Sequence, residues 1–404
     1  MGSTTAKAGT EVGTAAQLRD VVAEVSALFL ERDEVVRTLV VAMCAGQHSL
    51  LLGPPGTAKS QLARELTGRI EGARLWEILL SKFTSPTRMF GPIDVAALSR
   101  GEYRQVFDGR ATTAHIAFID EIFKCSTAAL NETLGLLNER LYHPENGGAP
   151  ISCPLISAIT ASNELPSGED SAAIYDRLLV RMEVDYLSDP ANFAALVRSA
   201  VTASATAART TVPLEALQHA VEVEVPAVRV PDGVIDTVCT LRASLRRKEL
   251  ICSDRRWRQA VHLLQASAYL DGRADVHDGD LAVLAHVLWD SPIERPLVRH
   301  EVLELVNPDA KAVLDLEDAI RELEAELNAK AGRAVKAQTE WAMEEANPKL
   351  VRAGKSLAKI RKAALAAGRS TDLVDGVLAH LRAVYARLMV DVLEVDPSMV
   401  NAPF

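Results

Sequence analysis

The chain has 404 residues, of which 48% are hydrophobic and 24% charged, a balance typical of a globular protein with two or three domains. A net charge of −10 and a pI near 5.5 argue against a surface that binds nucleic acid along its whole length. Five scattered cysteines with no C-x-x-C pair argue against a disulfide framework or zinc site and favour the reducing cytoplasm. Residues 1–16 predict a disordered tail, and no apolar run is long enough to predict a membrane span.

A glycine-rich loop follows two predicted helices between residues 14 and 46. Residues 49–60 read SLLLGPPGTAKS, an apolar run and a Gly/Pro turn before Lys59 and Ser60, which open a helix. Backbone N–H groups at such a helix start and the Lys59 ammonium suit a phosphate, and the Ser60 hydroxyl suits Mg²⁺. The alternative is an ordinary turn between a strand and a helix. The predicted nucleotide-binding residues of this loop are Gly53, Pro54, Pro55, Gly56, Thr57, Ala58, Lys59, Ser60 and Gln61.

One residue of this loop departs from the P-loop pattern, which has glycine where Ala58 stands. We expect Ala58 to begin the helix with a negative φ, where a methyl group is tolerated. The departure is therefore compatible with phosphate binding.

Short apolar runs near residues 50, 77, 118, 158 and 183 predict the buried strands of a parallel sheet, and helical patterns separate them. Residues 17–187 are thus predicted to form an α/β nucleotide-binding domain. Residues 188–290 predict an all-helical lid, which includes a helix at 192–208. Residues 291–404 predict a C-terminal helical hairpin or bundle, in which Asn347-Pro348 is expected to break a helix.

Polar side chains follow two of these strands. Asp120 and Glu121 come directly after the apolar run HIAFI, and Asn163 follows the next strand. Asp120 is suited to hold Mg²⁺ near Ser60, and Glu121 to polarise the water that attacks the γ-phosphate. Asn163 is suited to orient the same water. The alternatives are acids at a helix N-terminus for the carboxylates and a turn or cap residue for the asparagine.

Two arginines in IYDRLLVR, Arg177 and Arg181, are expected to lie one helical turn apart. A planar cation of this kind can neutralise charge on a transferring phosphoryl group in the site of a neighbouring subunit. The alternative is a salt bridge with Asp176 or Glu183. The sequence leaves open whether Arg181 contributes.

Three arginines, Arg255, Arg256 and Arg258, open a helix of the predicted lid in SDRRWRQA. At least one of them could reach a phosphate held between the domains. A solvated basic helix face is the alternative.

Five motifs together resemble the motif series of the AAA+ ATPases, in particular the MoxR branch and its RavA-like group. They are GPPGTAKS, IAFIDEIFK, ITASNELP, YDRLLVR and SDRRWRQAV, and the resemblance covers about residues 20–290. The roles it implies are phosphate and Mg²⁺ binding for Lys59 and Ser60, the Walker B pair for Asp120 and Glu121, sensor 1 for Asn163, a trans-acting finger for Arg177, and sensor 2 for Arg255 or else Arg256.

The resemblance also implies ATP and Mg²⁺ as ligands, a hexameric ring, an insertion near residues 84–110 facing the pore, and a chaperone-like or assembly role. Relatives often work with a partner that carries a von Willebrand factor A (vWA) domain. The chain departs from the RavA-like group after residue 294, where it is predicted to be helical without a β-rich insertion. Neither the substrate nor the function of this C-terminal part follows from the sequence.

Two other functions fit parts of the sequence. A DNA-dependent motor is one, since related helicases carry an insertion at a similar point, but the only basic stretch, residues 349–362, has no aromatic residue to stack on a base. A nucleotide-gated scaffold with little turnover is the other, and the intact acidic pair argues against it.

Overall fold

The computed structural model describes residues 13–144, 147–166, 169–199, 209–306, 308–330, 335–366, 371–396, 399 and 402–404. The chain divides into two compact units, the first ending at Arg299 and the second beginning at His300. Most of the predicted N-terminal tail lies outside the described residues. Its last residues are not part of a tail, because the first helix begins at Thr14.

The first unit is built around a parallel sheet with the strand order β3-β4-β7-β1-β8. The strands of the chain are β1 (Ser49–Leu52), β2 (Ile70–Glu71), β3 (Leu75–Leu79), β4 (Ile116–Asp120), β5 (Leu141–Tyr142), β6 (Ile151–Ser152), β7 (Ser157–Ser162), β8 (Val180–Glu183) and β9 (Val212–Pro213). The five predicted strands and the α/β class are therefore confirmed. The interior strands β1 and β7 are buried throughout, whereas the edge strand β3 alternates between buried and exposed residues.

The helices of the first unit flank the sheet, and the second unit is helical in its described residues. The helices are α1 (Thr14–Leu28), α2 (Asp33–Cys44), α3 (Lys59–Thr67), α4 (Pro86–Phe90), α5 (Val95–Leu98), α6 (Thr127–Glu139), α7 (Glu169–Arg177), α8 (Pro190–Ser199), α9 (Leu214–His219), α10 (Val225–Ala227), α11 (Asp232–Arg247), α12 (Asp254–Leu270), α13 (Arg295–Val306), α14 (Pro308–Lys330), α15 (Val335–Trp341), α16 (Asn347–Ala366) and α17 (Asp372–Arg387). Within the described residues, none has both the length and the apolar composition needed to cross a bilayer.

The helical lid belongs to the same compact unit as the sheet. Helix α12 packs against α1 and α2, and Arg19 Nη1 donates a hydrogen bond of 2.8 Å to the carbonyl oxygen of Leu270 at the end of α12. The predicted lid helix at 192–208 is described only to Ser199. The sheet and the lid thus form a single packed body.

The order of the strands fixes where the polar residues meet. Strands β4, β7 and β1 are neighbours, and all three run in the same direction. The loops that follow them therefore leave the sheet at one edge, on either side of the point where the chain order reverses. Asp120, Asn163 and the glycine-rich loop are brought together in this way.

The second unit is a helical bundle formed by α14, α15, α16 and α17. The expected break at Asn347-Pro348 is wrong, because helical structure continues from α15 through a π-turn at Ala342–Ala346 into α16. The N–H of Asn347 bonds to the carbonyl of Ala342, five residues earlier, and such a widened turn accommodates the proline ring without ending the helix. The buried core of the second unit includes Val313, Ile320, Leu323, Leu350, Leu357, Leu381 and Leu388.

Candidate functional site

The glycine-rich loop connects the end of β1 to the start of α3, whose first residue is Lys59. Ala58 precedes the helix and has a left-handed conformation with φ 64° and ψ 19°. Our expectation of a negative φ at Ala58 is thus wrong, because this residue is the last of the loop and not the first of the helix. A left-handed alanine costs about 1 kcal/mol, which explains why the pattern has glycine here.

Lys59 is folded back over the loop that precedes it. Its Nζ donates hydrogen bonds to the carbonyl oxygens of Gly53 at 2.6 Å and Pro54 at 2.8 Å, and the side chain is almost fully buried. Burial lowers the pKa of Lys59, and the nearby carboxylates Asp120 and Glu121 oppose that shift. The loop therefore encloses one cation at the point where a phosphate would need it.

Ser60 and Asp120 face each other across the start of α3 and the end of β4. The Ser60 Oγ lies 3.5 Å from Asp120 Oδ2, and the other carboxylate oxygen of Asp120 accepts the Glu121 N–H at 3.0 Å. A hydroxyl and a carboxylate oxygen are hard donors of the kind that Mg²⁺ takes, with water completing its shell. These two residues fit a magnesium ion.

Glu121 has one engaged and one free carboxylate oxygen. Its Oε1 accepts from Asn163 Nδ2 at 2.8 Å and lies 3.2 Å from Lys124 Nζ. Its Oε2 is buried and has no hydrogen-bond partner among the described residues. The backbone of Glu121 is left-handed, with φ 54°, which is strained for a glutamate and typical of functional sites. An uncompensated buried carboxylate oxygen of this kind is suited to accept a proton from a water molecule.

Asn163 joins the two halves of the site. While its Nδ2 donates to Glu121, its Oδ1 accepts from Lys59 Nζ at 3.3 Å. The Asn163 amide therefore links the Lys59 ammonium to the Glu121 carboxylate.

A cleft of about 350 Å³ opens beside these groups at the carboxyl ends of β1, β7 and β8. Gly53 and Asn163 lie on one side of the cleft, and Arg295 on the other, paired with Glu183 at 2.5 Å. Its volume is within the range of small-molecule sites.

The chain matches a family model described as the MoxR domain in the MoxR-vWA-beta-propeller ternary systems over residues 16–220, just over half of its length. The chain belongs to the MoxR family of AAA+ ATPases. A second model, described as an AAA lid domain, matches residues 233–302 of this MoxR protein.

Two proteins of one organism are similar to this chain over most of their length. One uncharacterized protein of Methanocaldococcus jannaschii is 32% identical over 364 residues, covering 88% of this chain and 92% of that protein. A second from the same organism is 31% identical over 306 residues, covering 75% and 80%. The crystal structure of a candidate ATPase from Cytophaga hutchinsonii matches with a TM-score of 0.58 at 15% identity, over 72% of this chain and 94% of that one. At that identity the likeness shows the fold alone.

The arginines of the MoxR chain are not placed as the sequence suggested. Arg177 ends α7, whereas Arg181 lies in β8, so the expectation that they lie one helical turn apart is wrong. The loop at residues 178–179 turns the chain between them. Arg177 donates to the carbonyl of Ala173 on its own helix at 2.8 Å, and its Nε is buried without a partner among the described residues. Arg181 is fully buried and is bonded to the backbone oxygens of Trp289 and Tyr175 and to the carboxylate of Asp290.

The two predicted sensor 2 residues have different surroundings. Arg256 is 4% exposed and donates to carboxylate oxygens of Asp290 at 2.8 Å and Asp176 at 3.4 Å. Arg255 is half-buried and donates to the side chain of Asn138. The carboxylates hold Arg256 away from solvent, so Arg255 is the better placed of the two to meet a ligand.

Asp290 is a residue of this cluster that the sequence does not single out, because it is only the last residue of the predicted lid. The signal available was an acid directly after the buried run that ends in Trp289, but nothing in the sequence indicates which cations it meets.

Proposed function

We propose that this MoxR protein hydrolyses ATP in the site formed by the glycine-rich loop, Asp120, Glu121 and Asn163. The observation that carries the proposal is the double contact of Asn163, which holds the Lys59 ammonium and the Glu121 carboxylate on either side of one amide. Phosphoryl transfer to water needs a cation for the phosphates and a group that orients or activates the water in the same site.

Each residue has a separate part in the proposed reaction. The backbone N–H groups of the loop and Lys59 bind the phosphates, which requires Lys59 to exchange its bonds to the Gly53 and Pro54 carbonyls for phosphate oxygens. Ser60 and Asp120 would hold Mg²⁺, which when bound neutralises charge on the phosphates. The free Oε2 of Glu121 accepts a proton from the attacking water.

A neighbouring subunit completes the site in this proposal. Arg177 lies at the end of a helix, and its Nε has no hydrogen-bond partner in the part of the chain that the structure describes. Its Nη1 donates to the backbone oxygen of Ala173, a hydrogen bond that can be exchanged for one to a phosphate. A guanidinium supplied in trans stabilises the transferring phosphoryl group. We propose a homo-oligomeric ring, hexameric as the resemblance implies, in which each Arg177 serves the next site, while Arg255 acts within its own subunit.

The ring is proposed to act as a chaperone-like remodelling or assembly factor of the RavA-like kind in the cytoplasm. The description of the matched family, the MoxR domain in MoxR-vWA-beta-propeller ternary systems, supports a vWA-domain partner. The segment proposed as an insertion, near residues 84–110, exposes the apolar side chains of Val95 and Leu98, and Phe83 directly before it is exposed as well. Such side chains could hold a protein substrate.

The test is a comparison of nucleotide binding and turnover in two variants. Glu121→Gln keeps the shape of the site but removes the proton acceptor, so we expect nucleotide affinity within about threefold of the parent and turnover reduced by at least about a hundredfold. Lys59→Ala is expected to lose both nucleotide binding and turnover. Turnover at the parental rate in Glu121→Gln would overturn the assignment, and stimulation of turnover by DNA would favour the motor instead.

A further inference from the structure

A single carboxylate at the end of the lid contacts two arginines from different parts of the chain. Asp290 Oδ1 accepts from Arg181 Nη1 of β8 at 2.7 Å and from Arg256 Nη2 of α12 at 2.8 Å. The side chain of Asp290 is half-exposed, whereas those of Arg181 and Arg256 are 0% and 4% exposed. Asp290 is thus the shared counter-ion of two guanidinium groups that are shielded from water.

Asp290, Arg181 and Arg256 also contact the end of α7. Arg256 also contacts Asp176, and Tyr175 Oη donates to the backbone oxygen of Asp290 at 2.7 Å. Arg181 donates to the backbone oxygen of Tyr175 at 2.9 Å, and its guanidinium lies 3.6 Å from the centre of the Tyr175 ring. Two consecutive residues of α7 are therefore held by the lid and by β8, and Arg177 is the next residue.

Arg177 itself has little that would fix it. Its hydrogen bond at 2.8 Å goes to Ala173 on the same helix, so the helix determines where the guanidinium lies. The position of α7 in turn depends on the contacts of Tyr175 and Asp176. A change in the position of Asp290 or Arg256 would therefore reach Arg177 through the end of α7.

We propose that Asp290 is a positioning residue for Arg177, through which the lid of one subunit sets the finger that this subunit presents to its neighbour. The inference rests on the proposed function, in which Arg177 completes the neighbouring site. Without the Asp290 carboxylate, two shielded guanidinium groups would face each other with reduced neutralisation, and the end of α7 would move to relieve their repulsion. A displacement of about 1 Å at a catalytic group is enough to lower a rate about a hundredfold.

Mixed complexes of two variant subunits can test this inference, because finger and catalytic base then come from different chains. A Glu121→Gln subunit has no base but an intact finger, and an Arg177→Ala subunit has an intact base but no finger. Complexes purified through a different tag on each subunit should hydrolyse ATP, although each variant alone does not. Absence of turnover in the mixture would contradict the proposed function itself, and that failure is separate from the outcomes below.

Asp290→Asn is then placed in one subunit type at a time. In the Glu121→Gln subunit, which donates the finger, we expect it to lower turnover of the mixture by at least about tenfold. In the Arg177→Ala subunit, which supplies only the base, we expect turnover within about twofold. An equal loss on both sides, a larger loss on the base side, or no loss on either side would overturn the inference, because each of these would mean that Asp290 does not act through Arg177.

One control variant and one replacement variant complete the experiment. Asp275→Asn removes another Arg–Asp pair of the lid, with Arg229 at 2.8 Å, and should change turnover on neither side. If Asp290→Asn subunits fail to assemble, Asp176→Asn replaces them under the same criteria, because it removes the contact between Arg256 and the residue before Arg177. Thermal unfolding and native mass spectrometry establish that each subunit is folded and incorporated.

Discussion

Gly53, the first residue of the glycine-rich loop, lies where no side chain fits. It has φ 152°, and a Cβ built on it would lie 2.0 Å from the backbone oxygen of Val184. An ordinary carbon–oxygen contact is about 3.3 Å, so the two chain segments would have to separate by roughly 1.3 Å. They are not free to do so, because Gly53 N–H bonds to Ser162 O at 3.1 Å and Val184 N–H bonds to Leu52 O at 2.7 Å.

The expected effect of Gly53→Ala follows from these two penalties. The backbone conformation costs an alanine about 1–3 kcal/mol, and the clash adds about 1–3 kcal/mol. We therefore expect the free energy of unfolding to fall by about 2–6 kcal/mol. Gly56→Ala is the matched control, since Gly56 has φ 82° but nothing within 4 Å of its Cβ, and it should lose only about 1 kcal/mol.

Urea unfolding without nucleotide, followed by circular dichroism, measures both variants against the parent. Both substitutions place an alanine at positive φ, so the difference between them reports the close approach of Val184 together with the greater backbone strain at φ 152°. If Gly53→Ala costs no more than Gly56→Ala within about 0.5 kcal/mol, the reasoning from the Cβ contact is refuted.

Two further predictions concern stability. Despite an opposing effect of burial, two backbone N–H groups at residues 188–189 lower the pKa of Glu31 from 4.5 to about 2, so its stabilisation is complete above pH 4.5 and is lost as the pH falls toward 2. The difference in unfolding free energy between the parent and Glu31→Gln should therefore shrink between pH 6 and pH 3.5 in urea titrations, and a constant difference would contradict this. In the second unit, Gly354→Ala should lower the melting temperature, because its Cβ would lie 2.2 Å from the Phe404 ring. Gly376→Ala is the control and should raise the melting temperature, because Gly376 lies in open space on α17 and alanine favours a helix. Equal shifts in the two variants would argue against the ring contact.

The sheet and the meeting point of its loops could be predicted from the sequence. Apolar runs long enough for strands but too short for helices gave all five strands of the sheet. Because parallel strands end at one edge, polar residues after β1, β4 and β7 had to lie near one another, as Lys59, Asp120 and Asn163 do. The spacing of apolar residues and the order of the motifs along the chain are properties of the sequence itself. They can therefore be recognised without knowing the tertiary contacts.

Features that depend on distant contacts or on one torsion angle could not be predicted. The conformation of Ala58 depends on whether the helix begins one residue earlier or later, which is the least certain part of any helix assignment. The pairing of Arg181 with Asp290 joins residues 109 positions apart, and that of Arg256 with Asp290 joins residues 34 apart. No periodicity relates such residues, so the sequence gives no reason to prefer one acid over another.

The complete burial of Arg181 has a consequence for how the first unit can be divided. Within the sheet region its donors reach the backbone oxygens of Tyr175 and Leu178, but its carboxylate partner lies at residue 290, beyond every lid helix. A fragment truncated at the end of β8 would lack both groups that accept from Arg181 Nη1, the backbone oxygen of Trp289 and the carboxylate of Asp290. Removing one partner of a buried ion pair costs about 3–5 kcal/mol, so we expect the nucleotide-binding part to be less stable without the residues of the lid.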